Sequence, residues 1–209
     1  MLNNYTVTQD GVIKQESSNP YNYDKEYSDS RYSFFSDRGN ILNLRLGYVI
    51  GSIGSIPQSL MDVGYGNGDF LEACEGAIGT LYGNDIQPAY PLKQGIEFVE
   101  NITEQYADVI TFFDSLEHFP DIEFVKDLKC KYVVISLPWC YNGEDDTWFA
   151  DWKHRKPDEH LYHFTDKSLT TFMERQGFDL VNFCNLEDKV RVDKNLSPNI
   201  LTACYKKRI

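Results

Sequence analysis

The segment Leu60-Met61-Asp62-Val63-Gly64-Tyr65-Gly66-Asn67-Gly68-Asp69-Phe70 constrains the fold more than any other: a short apolar run, three alternate glycines, then an apolar restart. It reads as a strand, a tight loop and the start of a helix. Glycine at alternate positions lets the backbone take positive φ and lets a ligand lie against the main chain, where a Cβ would collide. A glycine triplet alone also suits a plain tight turn, so its surroundings have to decide. From Ser59 onward short apolar runs recur (LMDVG, TLYGND, EFVENI, DVITFF, YVVISLP), bounded by Gly, Pro or Asp and separated by stretches able to cross back. Runs this short are strands, and their rhythm is that of a parallel sheet with crossover helices, so an open, twisted α/β sandwich is expected.

The partner of the glycine loop is Asp85, in LYGND, where the second strand should end. A carboxylate about twenty residues beyond such a loop accepts hydrogen bonds from both hydroxyls of a ribose. The plainer alternative is a solvated turn aspartate. A pyrophosphate cofactor fits less well, because the spacing is GxGxG and Asp69 puts a negative charge where a phosphate would sit.

Outside this region, residues 1–35 form a polar, tyrosine-rich lead-in with no sustained apolar period, and Tyr27 is the tyrosine expected to fold over the cofactor. A helix is expected over 36–53, with Ser36 or Asp37 as cap and a stop near Gly51 or Gly54. FTDKSLTTFMERQGF reads as an amphipathic helix capped by Thr165 or Asp166, with Leu169, Phe172 and Met173 inward and Gly177 as its stop. FDLVNFC and NILTACYK then read as a strand pair at one edge. The five cysteines are widely spaced without a CxxC pair, so neither a disulfide framework nor a zinc site is expected. There is no signal-peptide pattern and no apolar stretch of about 18 residues, which predicts a cytoplasmic protein without a membrane partner. A net charge of −12 disfavours nucleic acid as a partner, while a homodimer is compatible with the sequence.

DVGYGNGDF, the GND strand end, DVITFFDSLEHFPD, the SLP strand end and HLYHFTDKSLTTFMERQGF together resemble the class I S-adenosylmethionine-dependent methyltransferases, nearest to the small-molecule and sugar methyltransferase branch. The resemblance covers about residues 40–205. It implies a Rossmann-like three-layer sandwich and a seven-stranded sheet of order 3-2-1-4-5-7-6 with an antiparallel last strand, while the residues themselves read as one domain over 36–209 with an aromatic insertion at about 139–160. It implies S-adenosylmethionine as cofactor, with Asp62, Gly64, Tyr65, Gly66 and Gly68 at the methionine and ribose, Asp85 on the ribose and Ile86 on the adenine. Asn101 and Ile102 would meet the adenine amino edge, the Asn101 oxygen accepting there. Phe113, Asp114 and Ser115 would line the methyl-donor pocket, while Asp108 is structural.

Methyl transfer to a hydroxyl needs the acceptor in line with the methyl and a base for its proton. His118, His160 and His163 are the candidates. His160 and His163, three apart, invite a metal reading, but Pro157 argues against a regular helix and no third ligand is spaced nearby, so no metal is expected. Trp139, Trp148 and Trp152 either stack on the acceptor as a lid or seal the insertion onto the domain, and Arg155 is a candidate for an anionic group on it. The expected activity is methyl transfer to a small molecule, with oxygen of a sugar or related metabolite as acceptor. The alternatives are a cofactor-binding regulatory module without catalysis and an NAD-dependent oxidoreductase, which the loop spacing disfavours.

Overall fold

The structure is a computed structural model, which describes residues 3–26, 29, 38–191 and 198–209. The chain runs β1 (Tyr5–Val7), β2 (Ile13–Gln15), α1 (Arg38–Ile53), β3 (Ser59–Val63), α2 (Asp69–Cys74), β4 (Thr80–Asn84), β5 (Ile96–Phe98), β6 (Tyr106–Phe113), β7 (Lys129–Pro138), α3 (Asp146–Asp151), β8 (Tyr162–His163), α4 (Asp166–Arg175), β9 (Phe178–Cys184) and β10 (Ile200–Lys207). Seven strands form the main sheet in the order β5-β4-β3-β6-β7-β10-β9, parallel except for β10, which is antiparallel to both neighbours. This is the order and polarity that the resemblance implies. The winding reverses between β3 and β6, and ligands of such sheets sit beyond the strand ends at that switch.

β6 lies at the centre, and all its residues but Tyr106 are buried, which explains its largely apolar composition. One core fills the face under α4, where Leu169, Phe172 and Met173 point inward as their spacing requires. The other lies under α1 and α2 around Val49, Leu71 and Cys74, giving three layers. Thr165 caps α4 in a reciprocal capping box with Ser168. Gly54, at φ +72, ends α1. The expected caps Ser36 and Asp37, and Tyr27, lie outside the described residues. Among the described residues, no helix is long and apolar enough to cross a membrane.

Part of the polar lead-in is ordered as the hairpin β1–β2, which continues into β8 to form a second, three-stranded sheet. Its strands are two or three residues long, too short for an apolar alternation to show in sequence. Tyr5 and Ile13 of the hairpin join Cys140 and Phe149 in a small core, against which Trp148 and Trp152 pack.

Candidate active site

The C-terminal ends of β3, β4 and β6 open into a cavity of about 620 Å³. Gly64 continues β3 at φ +78, and a Cβ there would come within 2.6 Å of the Ser115 Cβ. Only glycine lets the loops after β3 and β6 approach so closely, and Ser115 Oγ closes the contact by donating to the Val63 carbonyl at 2.6 Å. The Gly66 N–H donates to Asp85 Oδ2 and the Gln87 N–H to Oδ1, each at 3.0 Å. The carboxylate is thereby fixed in orientation, and each oxygen keeps a lone pair for a ligand. Burial raises the Asp85 pKa, and its backbone hydrogen bonds oppose the shift.

Tyr65 tucks its ring inward and donates its hydroxyl to the Tyr90 carbonyl at 2.9 Å, which is how the loop accommodates a large residue between glycines. Gly83 makes that space: a Cβ there would sit 3.0 Å from the Tyr65 ring and 2.9 Å from Leu92. Asp62 accepts from Thr111 Oγ1 at 2.6 Å, and its burial pushes the carboxyl up to about 6 against that hydrogen bond and the Arg45 charge. Ile86 and Phe98, both exposed, present apolar surface to the cavity at the β4 and β5 ends.

Two arginines that reach the cavity were not singled out as site residues by sequence reasoning. Arg45 of α1 donates from Nε to Glu187 at 2.8 Å and from Nη2 to Asp114 at 2.9 Å, and its guanidinium stacks on Phe113 at 4.4 Å. Arg191 donates from Nη1 to the other oxygen of Asp114 at 2.9 Å and also pairs with Glu187 at 2.9 Å. Two cations and two carboxylates thus neutralise one another beside Asp114, itself held at φ +57. The visible signal for Arg45 is a charge within an apolar helical stripe; Arg191 gives none, because its partners are distant in sequence.

Asp62, Gly64, Tyr65, Gly66, Asp85, Ile86, Asn101, Ile102, Phe113, Asp114, Ser115 and His118 all line the cavity, whereas Gly68 lies just outside it. Asn101 differs in detail: its side-chain oxygen already accepts from the Thr103 N–H at 3.1 Å and Oγ1 at 2.8 Å, so both lone pairs are used. Asp108 is structural, accepting from the Gln58 N–H at 2.8 Å and the Tyr106 hydroxyl at 2.9 Å. Among the described lead-in residues, Tyr23 reaches the cavity, with its hydroxyl 3.0 Å from His118 Nδ1.

The other histidines and the tryptophans are not cavity residues. His163 is buried among Tyr5, Phe149 and Trp152, where loss of water holds its pKa at about 3. His160 is buried behind His118. Trp148 and Trp152 stack on each other at 5.2 Å over the hairpin core, and Trp139 meets Phe183 of β9. Arg155 donates to the Ala150 carbonyl at 3.0 Å. Within the aromatic insertion, Phe149, Trp148 and Trp152 pack against the β1–β2 hairpin, where their large rings find a mutual apolar core that Trp139 does not join.

A family described as a methyltransferase domain matches residues 45–182. Among solved structures, the chain is similar to 1,6-didemethyltoxoflavin-N1-methyltransferase of Burkholderia thailandensis, at 13% identity over 98% of this chain and 99% of that one, with a TM-score of 0.58. It is similar to magnesium protoporphyrin IX methyltransferase of Synechocystis PCC 6803, at 12% identity over 92% and 90%, with a TM-score of 0.58. The [4+2]-cyclase SpnF also shares the fold, at 10% identity over 78% and 80%, with a TM-score of 0.55. No curated protein matches the sequence. At such identities the solved structures speak for the fold alone.

Proposed function

The chain belongs to the class I S-adenosylmethionine-dependent methyltransferases, and from that premise we propose that it methylates a hydroxyl oxygen of a small, sugar-like acceptor. The residues present fit the cofactor: a cradle at Gly64 that a Cβ would fill, a carboxylate at Asp85 held on both oxygens, and apolar side chains at Ile86 and Phe98. When bound, S-adenosylmethionine supplies a methyl group activated on a sulfonium. Asp85 would hold the ribose hydroxyls, Ile86 and Phe98 would flank the adenine, and Phe113, Asp114 and Ser115 would border the donor end. The Arg45–Asp114–Arg191–Glu187 quartet keeps Asp114 rigid, so little reorganisation is needed when an acceptor arrives.

The observation that carries the oxygen acceptor is His118. It is the histidine that lines the cavity, its Nδ1 is tied to the Tyr23 hydroxyl at 3.0 Å, and it lies beside Phe119 and Pro120 beyond the donor end. A hydroxyl acceptor has a proton to lose, and His118 is the group placed to handle it. A net charge of −12 supports an uncharged or weakly charged acceptor over a polyanion. The five cysteines are free thiols, which suits the reducing cytoplasm.

The test is a turnover screen that follows S-adenosylhomocysteine release with hydroxylated acceptors and their amino analogues. Hydroxylated acceptors should turn over, with kcat reduced in His118→Gln and cofactor affinity unchanged. Turnover confined to the amino analogues would refute the oxygen reading.

A further inference from the structure

Glu117, His118 and His160 each offer one ligand atom, and the three atoms lie within 4.8 Å of one another. They come from two distant places in the chain: the turn Leu116–His118 after β6, and the residues leading into β8. The Leu161 N–H joins these segments by donating to the Glu117 carbonyl at 2.8 Å. The rings of His118 and His160 meet edge to face at 4.8 Å. Glu117 Oε1 stands 3.7 Å from His118 Nε2, beyond hydrogen-bond length but close to the span of two metal–ligand bonds of about 2.1 Å each at an open angle.

His160 carries the argument furthest. It is 1% exposed, and its Nδ1 engages the His154 carbonyl at 2.8 Å, an acceptor, so the ring hydrogen sits on Nδ1. Nε2 is left with a bare lone pair, buried and without a hydrogen-bond partner among the described residues. An imidazole whose N–H is held by a backbone carbonyl while its other nitrogen is bare and buried has the tautomer of a metal ligand. The Glu159 carboxylate, 3.7 Å from that Nε2, is already paired with Lys156 at 3.0 Å. Tyr23 can accept from the Nδ1–H of His118 in the same outer role that the His154 carbonyl plays for His160.

We propose that Glu117, His118 and His160 bind one divalent transition-metal ion at the inner rim of the cavity. Two imidazoles and one carboxylate suit Mn²⁺, Fe²⁺, Co²⁺ or Zn²⁺, whereas Mg²⁺ and Ca²⁺ require oxygen ligands. The sequence spacing led to the opposite expectation because it searched near His160, whereas the second and third ligands arrive from the end of β6. Three protein ligands leave coordination positions open, and His118 places the ion beside the cavity, where an acceptor hydroxyl can reach it. Coordination acidifies the hydroxyl, whose proton leaves to solvent, so in the loaded protein His118 acts on that proton through the ion. This last consequence rests on the methyl-transfer reading; the metal site does not.

The experiment uses the full chain stripped with chelator and dialysed, titrated with Co²⁺ and with Mg²⁺ while calorimetry and visible ligand-field absorption are followed. One Co²⁺ per chain should bind, with Mg²⁺ much weaker. His160→Gln and Glu117→Gln should each weaken Co²⁺ by about 100-fold or more, and Tyr23→Phe by about tenfold. Should a ligand variant fail to fold, pulsed electron paramagnetic resonance of Mn²⁺ on the unaltered chain should still detect two imidazole nitrogens. No stoichiometric uptake, uptake unchanged in both folded ligand variants, or no imidazole coupling would overturn the proposal. S-adenosylhomocysteine binding is measured on the same samples. If that binding and turnover persist in the stripped protein without metal uptake, the metal site falls and methyl transfer stands. Metal uptake without cofactor binding would leave the metal site standing and remove methyl transfer.

Discussion

At the cofactor end of the cavity, polar side chains are satisfied by main-chain groups: Asp85 by the N–H groups of Gly66 and Gln87, and Ser115 by the Val63 carbonyl. At the far end, Glu117, His118 and His160 meet across a long stretch of sequence, and His160 keeps a buried nitrogen bare. The first arrangement is rigid and satisfied before any ligand arrives. The second keeps the buried His160 Nε2 in reserve, which is what a site awaiting an ion requires.

The largest effect that could break this comparison is at Asp85. Asp85→Ala should weaken S-adenosylhomocysteine binding by about 100-fold, or about 3 kcal/mol, through two lost hydrogen bonds to a charged oxygen, as read by calorimetry. A change of less than about fivefold would mean that the cofactor end is not organised around this carboxylate. Gly64→Ala comes next: positive φ and the 2.6 Å approach to Ser115 should cost about 2–3 kcal/mol in denaturant unfolding. An unchanged unfolding midpoint would show that the loop tolerates a side chain.

A pH effect probes the aromatic core behind the cavity. The folded pKa of His163, at about 3, lies below its unfolded value of about 6.5, so the unfolded chain binds more protons in between. Its contribution is complete above about pH 6.5 and is lost as pH falls towards 3, amounting to about 2 kcal/mol at pH 5. His163→Phe, unfolded in metal-free buffer, should flatten the pH profile by that amount; an unchanged profile would show that His163 is hydrated. The smallest effect sharpens the contrast with the insertion: Trp148→Phe should alter S-adenosylhomocysteine affinity by less than about twofold, because Trp148 packs away from the cavity.

The sheet was legible because its central strands are buried on both faces, so runs such as ADVITFF advertise themselves. The glycine loop and Asp85 were legible because they are local: a strand end, a turn and a fixed interval. Thr165 announced its helix through its own cap. What stayed hidden depends on tertiary approach. Nothing near Arg191 in sequence says that it will neutralise Asp114, and nothing near His160 says that Glu117 will stand beside it. The tryptophans leave two readings open in sequence, since aromatic rings serve a ligand or a hidden core equally well until a partner such as the β1–β2 hairpin is in place.

The central claim is that the cavity beyond β3, β4 and β6 receives S-adenosylmethionine, and equilibrium calorimetry of the full chain with S-adenosylhomocysteine, beside NAD⁺, tests it most directly. One S-adenosylhomocysteine bound per chain, with no heat from NAD⁺, is the predicted result. No binding of S-adenosylhomocysteine, or tighter binding of NAD⁺, would contradict the account.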